Sequence, residues 1–379
     1  MTNIQMLFEI AFKRQPKLLI LINLIQDLDI LLPLAVAFKG ISDIKLEVLV
    51  VENFGKQSPR IERLLRQAEI TPKLVKQSVI MAGRKPSLNG VKVLITASES
   101  NHAAHRTAYE LALRANKSDV FTYTFQHGFE NIGLTYSDDE MPIDLIRFAS
   151  RKIFIWGGLE TLHDEVLAAT REKCIPVGCP KYVTPPDENL PFTHTRSKLI
   201  AIFENLHWSR YSDSYRANFL SGLYQISYHF PSITFLVKPH HAGQWLTGKQ
   251  DSKLPRYQGE LPKVDNLVIA DPTDPRWEGY TAPALLNIAD ATITTPSTVA
   301  LDAGRLGCPV AIVGDELDLS KYYPLAVLKK VDDWLDWISK LETVQGYTEL
   351  KQLSETFVKN QIVPGDAISR IVAEVVKQF

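Results

Sequence analysis

Three short stretches concentrate side chains able to move protons or hold anions: Gln126-His127-Gly128-Phe129-Glu130, Lys238-Pro239-His240-His241 and Thr294-Thr295-Pro296-Ser297-Thr298. Each follows an apolar run that reads as a buried strand. The imidazole of His127 titrates near neutral pH, which suits removal of a proton from an attacking hydroxyl, and Glu130 is the second candidate for that task. Gly128 is expected to let the loop turn tightly and leave His127 exposed at the strand end. The competing expectation is a histidine that closes a structural turn. His240, with Lys238 two residues before it, offers donors to a phosphate oxygen; such a group fixes a nucleotide and stabilises the charge on it as it departs. Adjacent histidines such as His240 and His241 seldom point at one metal ion, and no Cys/His/Asp cluster of ligand spacing accompanies them, so no metal site is expected. Ser297 and Thr298 stand between a strand and a helix, where two hydroxyls and the first free backbone N–H groups face an anion, phosphate being the natural guest. The same residue types also serve as plain helix N-caps with no ligand.

The elements that carry these stretches alternate between short β-rich runs and helical periodicity. Strands are expected at 18–22, 46–51, 91–96, 120–125 and 152–156, with helices at 27–38, 58–68, 104–115 and about 161–171, the third of them capped by Ser98 or Ser100. Thr184-Pro185-Pro186-Asp187-Glu188-Asn189-Leu190-Pro191 then reads as a linker. A second series follows, with strands at 199–203, 233–237, 267–270, 291–294 and 310–313, helices within 212–230, 282–288 and 299–306, and a helical pattern from Val331 onward. The expected fold is α/β, with two Rossmann-like parallel-sheet domains facing across a cleft, residues 1–185 and 186–379, the C-terminal helices belonging to the second. The three stretches lie at strand ends, where open α/β sheets bind ligands.

A net charge of -1 over 379 residues disfavours nucleic acid as the main partner. Three cysteines, Cys174, Cys179 and Cys308, fit neither a zinc ribbon nor a redox pair, and point to a reducing cytoplasmic compartment. No secretory signal is read at the N-terminus. Gln26, Asp27, Asp29 and Pro33 interrupt the apolar stretch from Leu18 to Phe38, which argues against a membrane span. Met6 to Phe12, followed by Lys13 and Arg14, offers either an amphipathic element for peripheral attachment to a membrane or a stripe for the protein's own core. Dinucleotide, Walker-type and nucleophile-elbow motifs are absent, so no cofactor is called for. Asp138-Asp139-Glu140 reads as a solvated turn, and His102 with His105 as a helix-face pair without a metal.

The order of Gln126-His127-Gly128, Gly178-Cys179-Pro180-Lys181, Phe235-Leu236-Val237-Lys238-Pro239-His240, Ala289 to Asp302, and Gly307-Cys308-Pro309-Val310 resembles the GT-B transferases of surface-polymer synthesis. The likeness is to the CDP-glycerol glycerophosphotransferase family and the neighbouring CMP-sugar (Kdo and sialic acid) transferases, over roughly residues 90–315. It implies a metal-independent GT-B enzyme that transfers a sugar or polyol phosphate from a cytidine-nucleotide-activated donor to a cell-surface glycan or lipid-linked acceptor. It further implies His127 as the base or acceptor-side histidine, His240, Ser297 and Thr298 on the donor phosphate, and Asp302 as the acidic residue of the following helix. His241 stands where those enzymes have proline, and Glu204-Asn205-Leu206-His207-Trp208 where the glycerophosphate enzymes have proline-threonine-tryptophan. A UDP-sugar transferase or epimerase of the same fold, and a nucleotide-sugar binder without turnover, are the alternatives.

Overall fold

The computed structural model describes residues 15–137, 142–182, 192, 196–240, 245–247, 256–271, 274–277, 279–315 and 317–379. The stretch from Met6 to Arg14, Asp138-Asp139-Glu140, the proline-rich run from Thr184 to Pro191 and His241 lie outside the described residues. Two compact units emerge, residues 1–182 together with 361–379, and residues 183–360.

The first unit is a parallel sheet. Its elements run β1 (Lys17–Ile22), α1 (Asp27–Lys39), β2 (Lys45–Val51), α2 (Glu52–Gln57), α3 (Pro59–Gln67), β3 (Lys73–Val75), α4 (Gln77–Met81), β4 (Val91–Thr96), α5 (Arg106–Lys117), β5 (Phe121–Phe125), β6 (Lys152–Ile155), α6 (Ala168–Arg171) and β7 (Cys174–Pro176). Among the described residues the strand order is β3-β2-β1-β4-β5-β6-β7. After Lys17, β1 is an unbroken apolar run buried on both faces, as a central parallel strand must be. Leu19 and Leu21 pack with Leu94 against Ala108, Leu111 and Ala112 of α5.

The second unit repeats the plan with β8 (Lys198–Glu204), α7 (Asp213–His229), β9 (Ile233–Pro239), β10 (Leu267–Ile269), α8 (Ala282–Leu286), β11 (Ala291–Thr294), α9 (Val299–Arg305), β12 (Val310–Val313), β13 (Ala326–Leu328), α10 (Val331–Leu341) and α11 (Val344–Gln361), the last residue of which lies in the first unit. The sheet order is β10-β9-β8-β11-β12-β13, again with parallel pairing. Its core joins Ile200, Ile202, Phe235, Val237 and Ile293 to Tyr215 and Phe219 of α7 and to Trp334 and Trp337 of α10. The α/β class with two Rossmann-like parallel sheets is as expected.

Four departures from the sequence pattern have physical causes. The expected helix at 161–171 shrinks to α6, because the N–H of His163 donates to Leu134 O at 2.9 Å and Leu162 and Val166 are drawn into a cluster with Leu134, Ile143 and Ile146. The expected loop Lys238-Pro239 instead completes β9, Pro239 sitting opposite Glu204 as the last strand residue, where a missing N–H is tolerated. β3, β7 and β13 are three-residue strands at or beside sheet edges, too short for a period-2 signal. Residues 361–379, placed by chain order in the second domain, belong by contact to the first. There α12 (Ala367–Val376) packs on α1, Val363 N donates to Trp156 O at 2.9 Å, and Arg370 Nη1 donates to Val177 O at 2.9 Å.

Candidate active site

Both sheets reverse direction of build where the first strand meets the fourth, β1 beside β4 in one unit and β8 beside β11 in the other. The crevice outside the carboxyl ends of strands at such a point is where open sheets take ligands. The residues singled out from the sequence sit along these two edges.

In the second unit, β8 runs out into Glu204-Asn205-Leu206-His207 and β11 into Thr295-Pro296-Ser297. Asn205 stitches the two ends together: Nδ2 donates to Pro296 O at 3.1 Å, while Oδ1 accepts from Thr295 Oγ1 and from the Tyr211 hydroxyl, both at 2.6 Å. Arg210 donates to Pro296 O at 2.8 Å and lies over the Tyr211 ring. Ser297 is half-buried; its hydroxyl lies 3.1 Å from Thr294 Oγ1 and accepts from Val299 N at 3.2 Å, so it supports the start of α9, whereas the Thr298 side chain does not cap that helix. Asp302 is turned into the protein on α9, 3.9 Å from the Arg305 guanidinium.

One strand further out, His240 stacks on His207 with ring centroids 4.7 Å apart and planes 27° from parallel. Lys238 is opposite Phe203 on the sheet, and burial pushes its ammonium down to about 8. Glu204 is buried at the end of β8, with Leu206 N donating to Oε2 at 2.8 Å. Burial pushes its carboxyl up to about 7, outweighing the backbone amides of Leu206, Leu246 and His240. The sequence pattern singles out His240, Lys238 and the serine loop. The structure adds Glu204, Asn205, His207 and Arg210, whose loop carries no recognisable anion motif and whose importance comes from lying between β9 and β11.

In the first unit, His127 follows β5 and is fixed from behind. Its N–H donates to Asn131 Oδ1 at 2.9 Å, Asn131 N donates to Thr135 Oγ1 at 2.8 Å, and Gln126 bridges Gly128 O and Trp156 N. The left-handed glycine of this loop is Gly133, at φ 81°, where a Cβ would meet Ile146 at 2.2 Å, and not the expected Gly128. His127 is half-buried rather than exposed. Its ring meets His105 edge-on at 4.8 Å, and His105 meets His102 at 5.4 Å and Ser100 Oγ at 2.8 Å. Burial pushes His127 down to about 4, helped by Lys181 and His102, so the near-neutral value expected from sequence does not hold. The imidazole is thus neutral across the physiological range and a weaker base than a free imidazole. Glu130 lies three residues on in the same loop, half-buried. Ser98 and Ser100 do not cap α5: Ser98 Oγ donates to Asp27 at 2.5 Å and Ser100 holds His105. Asp27 also accepts from the N–H groups of Asn23 and Leu24.

No family model matches the chain, and no curated protein sequence matches it. Solved structures do. A UDP-GlcNAc 2-epimerase from Neisseria meningitidis bound to UDP-GlcNAc is similar at a TM-score of 0.66 and 13% identity, over 95% of this chain and 100% of that one. The UDP-GlcNAc 2-epimerase from Methanocaldococcus jannaschii is similar at 0.57 and 14%, over 95% and 99%. A spinosyn rhamnosyltransferase complexed with spinosyn aglycone is similar at 0.51 and 12%, over 95% and 100%. The likeness spans both units and shows the GT-B fold. No helix among the described residues is long and apolar enough to cross a membrane.

Proposed function

We propose that the chain is a GT-B enzyme acting on a nucleotide-activated sugar or polyol, with the donor held by the second unit and an acceptor hydroxyl by the first. What carries this reading is the His207–His240 stack beside the Asn205-tied Thr295-Pro296-Ser297 turn. Two strand ends flanking β8 thereby bring imidazole N–H, hydroxyl and ammonium donors to one edge, a set suited to a phosphate and to the charge that grows on a leaving nucleotide. Lys238, His240, Ser297 and Thr298 are the donor-binding residues of this proposal, and Asp302 supports α9 beneath them. His127 accepts the proton of the attacking hydroxyl as a neutral base, with Glu130 its neighbour in the loop. The acceptor is a glycan or lipid-linked hydroxyl. Resemblance in the motifs favours a cytidine nucleotide, and the solved GT-B neighbours favour a uridine one.

A second reading, epimerisation of a UDP-sugar, is favoured by the neighbours named as 2-epimerases. It needs an acid and a base that act with no acceptor present. Incubating the protein with UDP-GlcNAc, a CMP-sugar and CDP-glycerol, each with and without acceptor, separates the readings. Nucleotide released only with acceptor supports transfer; an epimerised sugar formed from donor alone supports the second reading. Failure of all nucleotides to raise the melting temperature overturns both.

A further inference from the structure

The residue that follows β1 carries a side chain left without a partner among the described residues. Asn23 is 2% exposed, and neither its Oδ1 nor its Nδ2 has a hydrogen-bond partner among the described residues. Roughly nine in ten or more buried polar groups are partnered, and an unpaired amide deep in a fold is costly, so such a group is retained for something that pairs with it. Its place is specific. It directly follows the last residue of β1, at the carboxyl edge where β1 lies beside β4. In the segment between β4 and α5, His102 Nδ1 is also buried with no partner among the described residues, and ring contacts run from His102 to His105 and from His105 to His127.

We infer that Asn23 binds an uncharged hydroxyl-bearing group, a sugar or polyol, at the β1–β4 edge of the first unit. This deepens the reading above, on which it rests, by naming the chemistry of the acceptor-side ligand. A primary amide presents one acceptor and one donor group side by side. A phosphodiester or carboxylate offers only acceptors and leaves Oδ1 unpaired; an ammonium offers only donors and leaves Nδ2 unpaired. Hydroxyls do both, so a pair on adjacent carbons satisfies the whole amide. Charge points the same way. The N–H groups of Asn23 and Leu24, which would otherwise attract an anion, already hold the Asp27 carboxyl, itself joined to Ser98. Burial keeps His105 and His127 in their neutral forms.

The test uses the whole chain and its Asn23→Leu variant, which is near in size and removes both orphan atoms. Probes are methyl glucoside and glycerol, with acetate as the anionic control, followed by saturation-transfer NMR; UDP and CMP report on the second unit. Expected are binding of the neutral polyols to the wild type, a loss of about tenfold or more in that affinity in the variant, an unchanged or raised melting temperature of the ligand-free variant, and unchanged nucleotide binding. Polyol binding that is absent from the wild type or equal in both proteins overturns the inference. So does a lowered melting temperature, which would mean that the amide is satisfied by a structural water. If Asn23→Leu does not fold, Asn23→Thr replaces it with the same expected loss. Nucleotide binding without polyol binding sinks this inference alone; polyol binding without nucleotide binding sinks the functional reading instead.

Discussion

His105 presses the edge of its ring against the face of His127 at 4.8 Å between centroids, and is itself held by Ser100. Burial first, then the charges of Lys181 and His102, make His127 resist protonation. His127 therefore stays neutral down to about pH 4, and the acid limb of the pH–rate profile is expected well below the pH of about 6 to 7 typical of a histidine base. Steady-state rates against pH check this; an acid limb near pH 6.5 would assign the base to another group.

Replacement of His127 by alanine is expected to lower kcat by about 10²–10⁴-fold with nucleotide affinity unchanged, because its loop lies in the other unit from the proposed donor residues. Single-turnover transfer and calorimetric nucleotide binding, measured on the same preparation, separate the two effects.

His240→Ala and Ser297→Ala should each weaken UDP or CMP binding by roughly tenfold, the worth of one charge-assisted hydrogen bond. His240→Ala also unstacks His207, so a larger loss is expected there than for Ser297→Ala. Nucleotide affinities equal to wild type in both variants would remove the donor site from this edge.

Glu204 predicts a pH-dependent stability. Its carboxyl titrates at about 7 in the fold against 4.5 when free, so the native state holds a proton that the unfolded chain releases between those values. Stability contributed by the neutral form is whole below pH 4.5, falls as pH rises toward 7 and is lost above it, a change on the order of 3 kcal/mol. Glu204→Gln keeps the acceptor for Leu206 N and cannot ionise. Its melting temperature should exceed that of the wild type at about pH 8 and match it at about pH 4. A variant no more stable than wild type at the higher pH would contradict the burial of a costly charge.

Gly222 of α7 lies under the Trp334 indole, where an added Cβ would come within 2.3 Å of the ring. Gly222→Ala should destabilise the second unit by about 1–3 kcal/mol, read as a lower midpoint in chemical denaturation, with the first unit's transition unmoved.

How much of the fold and site is legible in the sequence depends on how local each cause is. Continuous apolar runs such as Leu18 to Ile22 and Ile233 to Val237 declare buried parallel strands, and the turn residues after them mark strand ends, so the pattern of residue types alone locates His127, His240 and Ser297. What the pattern does not locate depends on partners far along the chain. Asn205 matters because Thr295 and Pro296, distant in sequence, lie one strand over. The depressed basicity of His127 comes from burial together with Lys181 and His102, brought in by separate loops. Asn23 has no signal of its own: an asparagine after a strand reads as a turn residue, and it is conspicuous through the absence of side-chain partners among the described residues. Residues 361–379 fall on the unexpected unit because helical periodicity says that a helix has an apolar face and not which sheet it covers.

That last segment gives the chain an unusual order of completion. Residues 183–360 form an insertion within the first unit, which lacks α12, and with it the Arg370 clasp on Val177 beside the Gly178–Lys181 turn, for as long as the insertion is being translated. At ribosomal speeds that interval is on the order of ten seconds or more, ample time for the inserted sheet to fold. The nascent protein can thus acquire its second unit while the first still has an uncovered flank over α1.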